Sequence, residues 1–192
     1  MTELKRETKE TKIELTLDIN GTGKADIKSG IGFFDHMVEA FAKHSLCDLK
    51  LHCEGDLHVD FHHTVEDIGI VIGNALHEEI FPVQGVERFS NMTVILDEAA
   101  VEVNMDLSGR PFLLFDLGEL DGKVGEFDAE LAEEFFRAVV YNAKISCHIV
   151  IKRGKNRHHI LEAAFKAFAV ALRRALATNL RVSGAPSTKG VL

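Results

Sequence analysis

The chain has no surplus of basic residues: 22 Lys and Arg stand against 30 Asp and Glu, a formal net charge of −8. Nucleic-acid binding needs a basic footprint for the phosphates, and this balance excludes it. A small anionic substrate stays open, because a few local cations suffice for one phosphate. No run of about 18 apolar residues exists, so no helix is expected to span a membrane. The start, MTELKRETKETK, lacks the apolar stretch of a signal peptide. Cysteine is scarce: Cys47, Cys53 and Cys147 form no CxxC pair, and their odd number excludes a complete disulfide framework. These absences predict a soluble, cytoplasmic protein with reduced, mostly buried thiols. No Pro/Ser-rich linker divides the 192 residues, which predicts one fused unit.

What is present is a repeated order of elements. Residues 12–23 alternate Ile13, Leu15, Leu17 and Ile19 inward and stop at Asn20-Gly21, a strand and a turn. A short strand at 24–28 is expected to pair with it across that turn. Residues 32–44 have helical spacing through Phe33, Met37, Ala40 and Phe41, and 49–55 alternate again with Leu49, Leu51 and Cys53 on one face. Residues 63–80 form a second helix with the stripe Val65, Ile68, Ile72 and Leu76. From about residue 91 the order returns: strands in MTVILD and AAVEVNMDLSG, FLLFDLG as another strand or an extension of the second, a helix at 128–144, a strand at 145–153 and a helix at 158–176 striped by Leu161, Phe165, Phe168, Leu172 and Leu176. Each half reads strand, strand, helix, strand, helix, with a Phe-Phe pair (Phe33-Phe34, Phe135-Phe136) in its first helix. The fold class is therefore α+β: a duplicated half-domain, about 1–88 and 89–192, with helices on one face of each sheet.

The second helix of each half opens on His-His-x-x-Glu: His62, His63 and Glu66, then His158, His159 and Glu162. Residues three and four apart share a helix face, and imidazole with carboxylate suits Mn²⁺, Fe²⁺ or Zn²⁺. Adjacent histidines diverge by about 100° on a helix, so each pair is better suited to two different ions than to one. A single such motif is more often an exposed helix start whose glutamate favours the positive dipole end. Its duplication is what a two-metal site needs. His148 joins the set because Ile145, Cys147, Ile149 and Ile151 take the core face of its strand and turn it to the other. His36 joins because Asp35 beside it could orient its ring. Six imidazoles and two carboxylates, divided evenly, give three His and one Glu per ion with open positions left for water or substrate. His44, His52, His58 and His77 read as surface or satisfied core histidines. A dinuclear hydrolase and a metal-linked scaffold remain open on these residues alone.

GIGFFDHM, DFHHTVEDIG, DLSGRP, NRHHILEAAFKA and the tail PSTKGVL, in this order from about Arg6 to Leu192, resemble the imidazoleglycerol-phosphate dehydratase family of histidine biosynthesis. Gly32, Phe34, Phe61 and Lys155 depart from the family's usual Pro, Leu, Asp and Glu, and none is a proposed ligand. The resemblance implies a ribosomal protein S5 domain 2-like fold, two Mn²⁺ ions per active site and a cage of 24 subunits with sites between them. It implies a lyase that removes water from an imidazole-bearing glycerol phosphate. On that resemblance the metals would hold the imidazole ring as Lewis acids, which would let hydroxide leave from the attached carbon, and a base would take the proton from the next carbon. Glu10 is the implied base. Arg88, Arg110 and Lys189 are the implied phosphate cations, with Ser187 offering a hydroxyl. Lys166, four residues beyond Glu162 on the same stripe, is added to the substrate contacts.

Overall fold

Each strand of the first half alternates apolar and polar residues, so its sheet has one face to bury and one to leave in water. A computed structural model describes residues 1–190 and Leu192; Val191, within the tail motif, lies outside the described residues. The first half contains β1 (Thr2–Glu7), β2 (Thr11–Asp18), β3 (Ala25–Lys28), α1 (Gly32–Ser45), β4 (Asp48–Gly55) and α2 (His62–Ile80). The second contains β5 (Phe89–Leu96), β6 (Ala99–Asp106), β7 (Phe112–Asp116), the small hairpin β8 (Lys123–Val124) and β9 (Phe127–Asp128), α3 (Leu131–Ala143), β10 (Ser146–Arg153) and α4 (Arg157–Ala175). The sheets run β1-β2-β4-β3 and β5-β6-β10-β7, the same topology twice.

Two expectations need correction. The strand at 24–28 does not form a hairpin with its predecessor: β3 lies on the far side of β4 and parallel to it, Ile27 opposite Leu51. The Asp48 carboxylate accepts the N–H groups of Thr22 (2.7 Å) and Lys24 (2.9 Å), which holds the 20–24 loop beside β4. Parallel neighbours need a crossover, and α1 supplies it. The true hairpin partner of β2 is β1, with Leu4 opposite Leu15 and Arg6 opposite Ile13. The first half thus has three strands before its first helix, not two, and the second has β5, β6 and β7 in its sheet followed by the β8–β9 hairpin. β1 escaped notice because it is an edge strand, charged on its open side as edges commonly are.

The helices lie between the two sheets: α2 packs on β1 and β2, α4 on β5 and β6, while α1 meets α4 and α2 meets α3 across the halves. The stripe Val65, Ile68, Ile72 and Leu76 is buried, as are Leu161, Phe165, Phe168 and Leu172. Gly69 and Gly73 let α2 approach α3 closely. A Cβ on Gly69 would stand 2.7 Å from the Ala138 Cβ and 2.9 Å from the Phe135 carbonyl. Both α1 and α3 end in a left-handed residue, Leu46 (φ 63°) and Lys144 (φ 54°). Aligning these caps sets Met37-Val38 opposite Phe135-Phe136, and the buried positions of the two helices then coincide. The two Phe-Phe pairs are therefore one turn out of register and not equivalent, another correction. On the same alignment His36 corresponds to Glu134, and strand register equates Glu10 with Glu98 and Thr22 with Arg110.

Cys47 and Cys147 are buried and Cys53 is half-buried; all three are free thiols. Burial pushes Cys47 up to about 11 and Cys53 up to about 12. His52 bonds Asp26 (3.0 Å), but the buried Nδ1 of His77 has no hydrogen-bond partner among the described residues, so His77 is not a satisfied core histidine.

Candidate active site

Asn156 caps α4: its side-chain oxygen accepts the N–H groups of His158 (2.9 Å) and His159 (3.4 Å), which fixes where the second motif begins. One turn on, Glu162 Oε2 lies 3.0 Å from His158 Nε2 and 3.7 Å from His36 Nε2 on α1. The ligand atoms of these three residues all lie within 4.8 Å of one another. An ion with bonds of about 2.1 Å keeps its ligand atoms roughly 3–4.2 Å apart, so this donor set fits one with small adjustments. Lys166 Nζ takes the other oxygen, Glu162 Oε1, at 2.6 Å. Burial pushes Glu162 up, but Lys166, His158 and His36 outweigh it and hold its carboxyl below the ordinary value. Helix α1 comes from the first half and α4 from the second, a convergence that sequence spacing does not reveal.

Asp35 does not orient His36. Its Oδ1 accepts the N–H (2.9 Å) and hydroxyl (2.6 Å) of Ser29, closing the loop before α1. Neighbouring helix residues point about 100° apart, so the two side chains part company.

The second histidine of each motif is held by a carboxylate. His159 Nδ1–H donates to Glu98 Oε2 at 2.7 Å, and Glu98 Oε1 accepts the N–H groups of Lys155 and Asn156. These bonds, the one from His159 first, hold Glu98 down at about 2 and raise His159. His63 Nδ1–H donates to Asp56 Oδ2 at 2.9 Å, which raises His63 in the same way. Both rings are thereby left with Nε2 free for a ligand bond, the arrangement usual for metal-binding imidazoles. Neither Asp56 nor Glu98 was found in the sequence. The available signal was an acidic residue in the turn before β6, at the position Glu10 holds before β2. Within each pair the rings diverge: centroids are 6.4 Å apart for His62 and His63, and 6.2 Å for His158 and His159.

Glu10 lies between β1 and β2, not before the first strand, and its Oε1 stands 3.9 Å from His63 Nε2. Glu66 is half-buried on α2 beside the first motif. His148 is exposed on the outer face of the second sheet, against Phe112 (centroids 5.7 Å). It lines an open depression with Phe89, Asn91, Asn104, Asp106 and Ser146. Among the described residues, no hydrogen bond or ion pair joins His148 to either His-His-x-x-Glu motif. Arg88 is buried and bidentate to Asp106 (2.7 and 3.2 Å), and its Nη1 donates to the Pro186 carbonyl (2.8 Å), which ties the tail carrying Ser187 and Lys189 to β6. Arg110 is exposed nearby, with Leu192 close to Gly109.

Three regions thus stand apart in one chain: the α1–α4 cluster, the α2 motif with Glu10, and the β6–β10 face with the arginines and tail. The family model for imidazoleglycerol-phosphate dehydratase matches residues 29–172. The chain belongs to this family. A dehydratase of Nautilia profundicola is 61% identical over 192 residues, covering 100% of both chains, and one of Campylobacter curvus is 63% identical over 187 residues, covering 97% of this chain and 95% of the other. The crystal structure of the Staphylococcus aureus dehydratase superposes with a TM-score of 0.82 at 40% identity, covering 93% of this chain and 100% of that one. The Pyrococcus furiosus enzyme, solved in complex with (S)-C348, gives 0.84 at 37% identity, with 98% and 100% covered. This chain is accordingly an enzyme, a hydro-lyase that dehydrates imidazoleglycerol phosphate in histidine biosynthesis, and membership implies dependence on a metal. Of the described residues, no helix is long and apolar enough to cross a membrane.

Proposed function

We propose that the dehydration runs on two Mn²⁺ ions per active site, with sites completed between subunits of a 24-subunit, cytoplasmic homo-oligomer. The reading treats residues 1–192 as one dehydratase domain of two repeats. The observation that carries it is the convergence of His36, His158 and Glu162 from opposite halves, beside two further imidazoles whose Nε2 atoms are kept free. Ligands fall to His36, His62, His63, Glu66, His148, His158, His159 and Glu162. Bound ions would act on the imidazole ring of the substrate as Lewis acids and as a template.

The chain's own side chains do the rest. Lys166 holds one oxygen of Glu162 and leaves the other for the cluster. Glu10, half-exposed and without a hydrogen bond to its carboxylate among the described residues, is free to take a proton from the substrate carbon. Arg88, Arg110, Lys189 and Ser187 bind the phosphate, with Lys166 as a further substrate contact; guanidinium forks match phosphate oxygens. Arg88 serves largely by holding the tail, since Asp106 and Pro186 already occupy its donors.

Assembly is supported by a contrast between sheet faces. The first sheet shows water Lys5, Glu14, Lys50 and His52, whereas the second shows Phe89, Ile95, Phe112 and Leu114, 39–74% exposed. An apolar sheet face of this kind marks an interaction surface, and His148 sits on it. A dehydration assay on metal-stripped protein, with Mn²⁺, Zn²⁺ and Mg²⁺ restored separately, tests the ion; activity that survives stripping refutes the reading. Sedimentation velocity with and without chelator tests assembly, since ions bound only by the oligomer favour it. Chelation is expected to yield smaller species that Mn²⁺ restores.

A further inference from the structure

The turn Thr8–Thr11 that carries Glu10 is fixed at several points. The Thr8 hydroxyl accepts the N–H groups of Glu10 (3.1 Å) and Thr11 (3.0 Å), and the Glu10 carbonyl accepts Asp56 N–H (3.0 Å). One more anchor comes from the helix beneath. The Thr11 hydroxyl donates to Asp67 Oδ2, and Arg6 donates to Asp67 Oδ1 through Nε (3.0 Å) and Nη2 (2.8 Å). Asp67 is only 6% exposed, on the inward side of α2 next to Val65 and Ile68. A buried carboxylate is costly unless it is paired, and the fold itself does not require one here. Strand register and the alignment of the two His-His-x-x-Glu motifs put Val94, Ala99 and Ala163 of the second half where the first has Arg6, Thr11 and Asp67. There an apolar trio packs the hairpin on the helix. Its carboxylate, Glu98, is instead held directly by His159 and two backbone amides. The polar trio occurs in the half whose turn carboxylate has no such anchor of its own.

We infer that Asp67 is a positioning residue for the reaction: through Thr11 and Arg6 it locks the β1–β2 turn onto α2 and keeps Glu10 beside His63. The inference rests on the reading of Glu10 as the general base. One rigid helix then carries the His63 and Glu66 ligands together with the anchor of the base, so that base and ligands keep a common frame.

The second half supplies the test. Arg6→Val, Thr11→Ala and Asp67→Ala made together copy its apolar trio, and exchanging a buried ion pair for apolar groups is often tolerated by a fold. In the Mn²⁺-loaded oligomer the triple variant is expected to lose about a hundredfold in kcat, the scale of an ångström-size misplacement. KM and Mn²⁺ per chain should hold, and amide exchange at residues 8–11 should quicken. In a Glu10→Gln background the triple change should add no further loss. Thr11→Val alone, which keeps the Arg6–Asp67 pair, should move kcat and exchange in the same direction, and Thr11→Ser should restore both. Unchanged kcat and exchange overturn the inference, as does a loss that multiplies with Glu10→Gln or follows falling Mn²⁺ content. Full activity of Glu10→Gln by itself refutes the base, and exchange at residues 8–11 then still reports whether Asp67 holds the turn.

Discussion

Glu10 and Glu98 occupy the same position in the two halves, each in the turn between the first two strands of its sheet and each near the second histidine of its motif. Their surroundings differ. Glu98 accepts three hydrogen bonds and holds His159. In the first half that task has passed to Asp56, whose counterpart in the second, once the bulge between Ile151 and Arg153 is counted, is Lys155, and the Glu10 carboxylate is left without a hydrogen bond among the described residues. A similar split separates His36 from Glu134. The two halves share one backbone plan, and differences at single residues leave one carboxylate as a structural acceptor and its twin without a hydrogen bond among the described residues.

The comparison can be broken at its strongest point by Glu10→Gln, which should lower kcat about 10²–10⁴-fold, the range for a lost general base, with metal content unchanged in elemental analysis. Glu98→Gln should behave differently, weakening metal binding about 10–100-fold as loss of a partner behind a ligand does, and titration of the stripped protein with Mn²⁺ measures it. Matching signatures for the two would mean that the halves have not diverged in role. Arg110→Ala should raise KM roughly ten- to hundred-fold, since a charge-assisted bond is worth about 1.5–3 kcal/mol, whereas binding of free imidazole should barely change. Its counterpart Thr22 faces Asp48 instead, and Thr22→Ala should leave KM alone; equal effects would remove Arg110 from the phosphate. The smallest effect is on stability. Gly69→Ala forces a methyl against Ala138 and the Phe135 carbonyl, and should cost about 1–3 kcal/mol in a denaturant titration as overpacking does. At the matching position α4 has Phe165, whose ring packs against Phe135 and Phe136.

Helix stripes were legible because a buried face imposes its period on the residues themselves, as Val65, Ile68, Ile72 and Leu76 do. The pairing of β3 was not, because a parallel neighbour is chosen by a crossover and by Asp48, neither of which leaves a local pattern. β1 was hidden by its charges, and the Phe-Phe pairs misled because identical residues one turn apart point to different neighbours. At the candidate site, the spacing of His62, His63 and Glu66 and of their counterparts carried the motif. The meeting of His36 with Glu162 depends on how two halves pack, and Asp56 and Glu98 act from loops where no periodicity marks a carboxylate. Asp67 did leave a trace: a charged residue on an apolar stripe.

The close seam of α2 on α3 at Gly69 and Gly73 bears on what a single repeat could do alone. Each half turns the inner surface of its helices toward the other, and a lone half would open that surface to water. A chain of one repeat would therefore need a second copy of itself, related by a twofold axis along the seam. A chain that carries both repeats makes that partner permanent and lets the two copies differ residue by residue. The place where the halves meet thus has the form of a boundary between two molecules, and the α1–α4 cluster, which draws on both, is built across it.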